Sequence, residues 1–134
     1  MIQEEIKSIG KLFKLNPKFK KNGELYKKSY KEFQDKVYWD TISFYQKLSE
    51  EFIEKFQDKV SWNCISCNQK LSEGFIERFQ DKVNWDYISW KQKLSGEFIR
   101  KFYHKINFNQ LYINKNISEK IKNKYRLIKN VMES

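Results

Sequence analysis

The sequence predicts an all-α protein, a short α-solenoid of 23-residue repeats, each a long α-helix plus a short α or 3₁₀ helix, with helical caps at both ends. Three observations predict it. A block of 23 residues recurs almost unchanged, and apolar residues within each block fall at helical spacing. Four Gly and one Pro in 134 residues are too few for a turn-rich β protein.

Taken in order, residues 1–24 form a basic N-terminal cap in which Ile2, Ile6, Ile9 and Phe13 share one helical face ahead of Asn16-Pro17. A half copy over 25–32 supplies the helix that enters the first full repeat. Residues 33–55 read FQDKVYWDTISFYQKLSEEFIEK, residues 56–78 read FQDKVSWNCISCNQKLSEGFIER, and residues 79–101 read FQDKVNWDYISWKQKLSGEFIRK. A degenerate fourth copy runs over 102–124, with Ile106, Phe108, Leu111 and Ile117 in the Val, Trp, Ile and Leu columns. The repeats proper span 25–117. Residues 118–134 form a basic C-terminal helical cap in which Ile121, Tyr125, Ile128 and Met132 share a face after Ser118. The length is that of one domain, 1–134.

Within one copy, Ser49 followed by Glu50 and Glu51 reads as a helix start, because the hydroxyl accepts from an orphan amide and the carboxylates favour the positive end of the dipole. Phe52, Ile53, Phe56 and Val60 then lie on one face, which is the expected core. Trp62 is expected to close this helix. Asn63, like Asp40 and Asp86 in its column, is expected to cap a short helix over residues 65–69. Seven large apolar residues per copy, at about 1.5–3 kcal/mol each when buried, do not offset the entropy of ordering the copy alone. Neighbouring copies must stack.

The motif FQDKVxWxxISxxQKLSExFI is similar to short tandem repeats of many uncharacterised proteins of giant viruses and AT-rich bacteria. Alternation of an α-helix with a shorter helix at this period also resembles the leucine-rich-repeat variant fold, a resemblance of architecture. Phe and Trp stand where that family mostly has leucine. The richness in Lys, Ile, Asn, Phe and Tyr is that of coding from an AT-rich genome.

The copies form an internal alignment. The Phe, Val, Trp, Ile and Leu columns barely change and read as core. The free columns are Thr41, Cys64, Tyr87 and Gln110; Phe44, Cys67, Trp90 and Ile113; and Tyr45, Asn68, Lys91 and Asn114, all on the short helix. Stacking would line them up as a stripe, and Phe44, Tyr45, Tyr87, Trp90 and Lys91 are its candidate partner-binding residues, since Tyr and Trp carry much of the energy of interfaces. The other reading is that they are packing positions that tolerate substitution. Invariant Gln46, Gln69 and Gln92 read as a buried ladder bonding backbone between copies. The Asp35, Asp58 and Asp81 row and the lysine rows, Lys47, Lys70 and Lys93 among them, read as solvated faces.

Charge is divided unevenly along the chain. Residues 1–32 carry nine Lys against four Glu, 33–101 balance, and 102–134 carry seven basic against two acidic, so the surplus of +10 lies in the ends. Lys11, Lys14, Lys18, Lys20 and Lys21, with Lys115, Lys120, Lys122, Lys124, Arg126 and Lys129, are therefore candidate contacts to an anionic or nucleic-acid partner, solubility being the alternative.

No catalytic residues, cofactor or metal are expected. Cys64 and Cys67 have CxxC spacing, but a zinc site needs four ligands and the chain adds only His104. No Gly-rich phosphate loop occurs. No run of about 18 apolar residues occurs, and Glu4 and Glu5 stand where a signal peptide would be apolar, so a soluble, intracellular protein is expected. The function expected is that of a non-enzymatic macromolecule-binding module whose partner is another protein or a nucleoprotein complex. The alternative is a nucleic-acid-associated protein, such as a viral or phage-type inhibitor that occupies the RNA or DNA path of a host nuclease.

Overall fold

Ten α-helices and no strand make up the described residues of the computed structural model, which are 2–133 less the side chains of Met132 and Glu133. Met132, expected on the inner face of the last helix, thus lies outside them. The chain divides into two compact units, Met1–Ser61 and Trp62–Ser134.

Unit 1 contains α1 (Ile2–Leu12), α2 (Lys27–Lys36), α3 (Trp39–Tyr45) and α4 (Glu50–Lys55). Ile6 and Ile9 of α1 are buried, as their spacing predicts, and α1 packs on α4. Lys14 closes α1 in the left-handed conformation (φ 59°), while the amide of Leu15 reaches the Gly10 carbonyl at 2.8 Å. A Cβ at Gly10 would meet the Pro17 ring at 3.1 Å, so any larger residue there would push the ring back by a few tenths of an ångström. The chain returns through an isolated antiparallel bridge between Phe19 and Leu25. In the core, Phe33 meets Phe52 and Phe56, and Trp39 lies against the same pair at 6.2 and 5.2 Å.

Unit 2 contains α5 (Trp62–Asn68), α6 (Glu73–Arg78), α7 (Trp85–Lys91), α8 (Gly96–Lys101), α9 (Phe108–Tyr112) and α10 (Glu119–Glu133). Helix α7 packs on both α5 and α9. Each Trp here packs on a Phe of its own copy and the first Phe of the next: Trp62 on Phe75 and Phe79, Trp85 on Phe98 and Phe102. Phe108 continues the pattern on Tyr125 of α10, at 5.4 Å.

The serines cap as expected. Ser49, Ser72 and Ser95 accept from the amides of Phe52, Phe75 and Phe98 at 3.0–3.2 Å. The helix lengths differ from expectation. Among the helices in the long-helix place of the repeat, α2 has ten residues, but α4, α6 and α8 have six each and end at Phe56, Phe79 and Phe102, where the backbone leaves helical geometry (φ about −109°). The carbonyls freed by the break find partners. In unit 2 the Gln80 amide donates to the Glu77 carbonyl at 3.0 Å, and the Trp85 indole donates to the Gln80 carbonyl at 2.9 Å. A turn then carries Val83 back to the core.

Trp62 and Trp85 therefore open the second helix of each copy, which has seven residues and is no shorter than the first. The cap also moves. Asn84 and Asn107 accept from amides at the starts of α7 and α9. Residues of the Asp40, Asn63 and Asp86 column do not cap. In unit 2, Asn63 and Asp86 each accept from the side-chain amide of the next copy's cap, Asn84 or Asn107, at 2.9 Å.

Candidate binding surface

After each second helix comes an extended Gln-Lys-Leu segment, and alternation along it decides what faces water. Gln92 and Leu94 are buried while Lys93 is exposed, and Gln69, Lys70 and Leu71 repeat the arrangement. Gln92 is a rung of the expected ladder. It accepts from the Leu71 amide at 3.0 Å and donates to the carbonyls of Ser66 and Gln69 at 2.9 and 2.6 Å. Asn114 is the next rung, donating to the carbonyls of Ser89 and Gln92. It is fully buried and is not a free-column residue. Helix α9 is two residues shorter than α7, so the inward amide arrives one place early and Lys115 is left outside.

With its amides turned inward, this edge of unit 2 presents lysines. One depression of about 320 Å³ is lined by Cys67, Lys70, Lys91, Lys93 and Asn116 among others. A second, of about 350 Å³, is lined by Trp90, Lys91, Ile113, Lys115 and Asn116. The two share Lys91 and Asn116, and no carboxylate lines either. A third, shared through Lys93 and Asn116, includes Glu73, whose two oxygens accept from the amide and hydroxyl of Ser95.

The expected stripe residues fall into two groups. On unit 1, Phe44 and Tyr45 end α3 as an edge-on pair with ring centres 4.6 Å apart, Tyr45 being 75% exposed. On unit 2, α7 brings Tyr87, Trp90 and Lys91 together. The rings lie 6.2 Å apart, and the Lys91 ammonium sits 4.3 Å over the Trp90 ring.

The basic ends are placed less simply than their charge suggests. Lys11, Lys14, Lys18, Lys20 and Lys21 are exposed on unit 1, as are Lys120 and Lys124 on α10. Lys115 belongs to the depressions. Lys122 is a correction: it is buried, because it occupies the column of the buried Ile53, Ile76 and Ile99, and its ammonium pairs with Glu119 at 3.4 Å. Arg126 is engaged within its own unit by Glu119, Asn123 and the Tyr112 ring. Lys129 is half-buried.

Ile113 stood in a free column of the expected stripe, whereas Lys70 and Lys93 read only as solvated lysines and Asn116 was not singled out. The available signal was the buried Gln of the Gln-Lys-Leu run, which forces its lysine outward. Cys64 and Cys67 are half-buried on α5 and are not joined in a disulfide. Among the described residues no group of three or more His, Cys, Asp or Glu could hold a metal, and no helix is long and apolar enough to cross a membrane. His104 is exposed, edge-on to Tyr103. Comparison with protein-family models, curated proteins and solved structures finds no match to this chain.

Proposed function

We propose that the chain is a non-enzymatic macromolecule-binding module, built as a short solenoid of 23-residue repeats, whose binding surface is the lysine-rich edge of unit 2. One observation carries the reading: half-buried Trp90 and exposed Ile113 stand beside four exposed lysines, around two adjoining depressions that no carboxylate lines. The backbone behind them is held by the Gln92 and Asn114 rungs, so the surface is backed by buried hydrogen bonds and does not rest on a loose loop. Bonds at a 23-residue step, such as Gln92 to the Gln69 carbonyl, support the solenoid reading.

Site-directed photo-crosslinking tests the location whatever the partner's class. A benzophenone side chain replacing exposed Ile113 should give discrete adducts in extracts of the cells that make the protein. One replacing exposed Asp81, which lines neither depression, should not. Equal labelling from both positions, or adducts from Asp81 alone, would reject this surface.

A further inference from the structure

We infer that the adjoining depressions of unit 2 form a site for single-stranded nucleic acid, with Lys70, Lys91, Lys93 and Lys115 on the phosphates and Trp90 beneath a base. The inference rests on reading this edge as a binding surface and goes beyond it by naming the ligand.

Charge is the first reason. Unit 2 carries fourteen Lys and Arg against seven Asp and Glu, and the four lysines of the depressions are all exposed. A polyanion gains affinity from such a cluster by releasing counterions.

The amides argue against an extended acidic peptide, whose affinity comes largely from main-chain hydrogen bonds. Asn68 and Asn116 are the outward amides at the site, and their NH₂ groups already donate to the carbonyls of Cys64 and Lys91, at 3.3 and 2.8 Å. Gln69 and Gln92 are buried behind them. Each NH₂ keeps a second N–H, but the charged donors at the site are the four ammonium groups.

Trp90 selects a single strand over a duplex, because only an unpaired base can leave its stack for an aromatic ring. Lys91 now covers that ring at 4.3 Å. A phosphate that draws the ammonium away uncovers the ring for the base attached to the same strand. Backbone capture and stacking are thus coupled through adjacent residues of α7.

Fluorescence anisotropy of the full chain tests this with labelled oligo-dT and oligo-U of about twelve nucleotides, a duplex of equal length, and a poly-glutamate peptide. Wild type should bind both single strands more tightly than the duplex or the peptide. With four phosphate contacts, affinity should fall roughly 50-fold between about 50 and 200 mM salt. Replacing Lys70, Lys91, Lys93 and Lys115 together by Glu should weaken binding at least about tenfold and flatten the salt dependence, with the circular dichroism spectrum unchanged. Lys11→Glu, Lys14→Glu and Lys18→Glu combined should weaken it much less. Trp90→Ala should cost about 5- to 100-fold without changing the salt slope.

No binding of oligo-dT or oligo-U at low salt would overturn the inference, and so would equal or tighter binding of the duplex. Poly-glutamate held more tightly through the same four lysines would overturn it while leaving this edge as the binding surface. Oligonucleotide binding untouched by the four substitutions would remove both.

Discussion

Glu5 of α1 holds Ser49 with both carboxylate oxygens, one accepting from the amide at 2.7 Å and the other from the hydroxyl. Glu73 holds Ser95 in the same two-pronged way in unit 2, across one repeat step. The N-terminal helix thus supplies, from outside the repeats, the carboxylate that a preceding copy supplies within them. Each Ser in turn caps its own helix, so the carboxylate steadies a cap as well as a backbone amide.

Glu5→Ala should therefore destabilise unit 1 by about 1.5 kcal/mol, the low end for hydrogen bonds to a charged group, because Ser49 is exposed. Glu73→Ala should cost a similar amount in unit 2. Urea unfolding followed by circular dichroism reads both, and a cost at Glu73 with none at Glu5 would mean that α1 does not stand in for a repeat.

The serine caps and the Phe and Ile core were legible because a cap and a helical face leave local marks. The break after Lys55 was not, because Phe52, Ile53, Phe56 and Val60 reach the same core from a continuous helix or from a helix followed by a turn. What decides between these is where the freed carbonyls go, and the Gln and Trp side chains that take them lie up to five residues away. The Gln ladder could be read from an invariant polar column between apolar ones. Its last rung, Asn114, is one place out of register and could not. Ser43, Ser66 and Ser89, wholly buried, form an invariant column too, but its role was not legible: each accepts from an amide 18 residues on, a contact that exists only once the copies are stacked.

Gln92 should be among the costliest side chains to remove. Truncation to Ala leaves the buried Leu71 amide and the carbonyls of Ser66 and Gln69 without this partner. At about 1–3 kcal/mol for each group left unsatisfied, a loss of at least about 3 kcal/mol is expected. Lys93→Ala, one residue away and exposed, should change stability by less than about 0.5 kcal/mol. Similar midpoints for the two variants would show that water replaces the rung.

Trp85 combines two contributions that can be separated. Its ring lies 6.2 and 5.4 Å from those of Phe98 and Phe102, and its indole N–H donates to the Gln80 carbonyl at 2.9 Å. Trp85→Phe keeps an aromatic ring and loses the hydrogen bond, at a cost of about 1 kcal/mol. Trp85→Ala should cost about 3 kcal/mol, the low end for a truncated aromatic, because the residue is half-buried. Equal losses would place all of the effect in the hydrogen bond and none in the packing.

Lys122 offers the sharpest contrast between column and residue. Its position belongs to Ile53, Ile76 and Ile99, each with no measurable exposure, and its own side chain is 7% exposed. Its ammonium pairs at 3.4 Å with Glu119, which is 72% exposed and also faces Arg126 at 3.6 Å. Desolvating an ammonium for one long ion pair to a well-solvated carboxylate costs more than the pair returns. Lys122→Met, which keeps the length and removes the charge, should therefore stabilise unit 2 by about 1 kcal/mol or more. Glu119→Ala should act in the opposite direction, because the buried ammonium loses its carboxylate. Neither substitution touches the lysines of the depressions, so oligonucleotide affinity should stay within about twofold of wild type. Thermal and urea unfolding read the first pair of effects and anisotropy the last. A lower midpoint for Lys122→Met would show that the ammonium contributes net stability where it lies, and weaker oligonucleotide binding would return Lys122 to the contact surface.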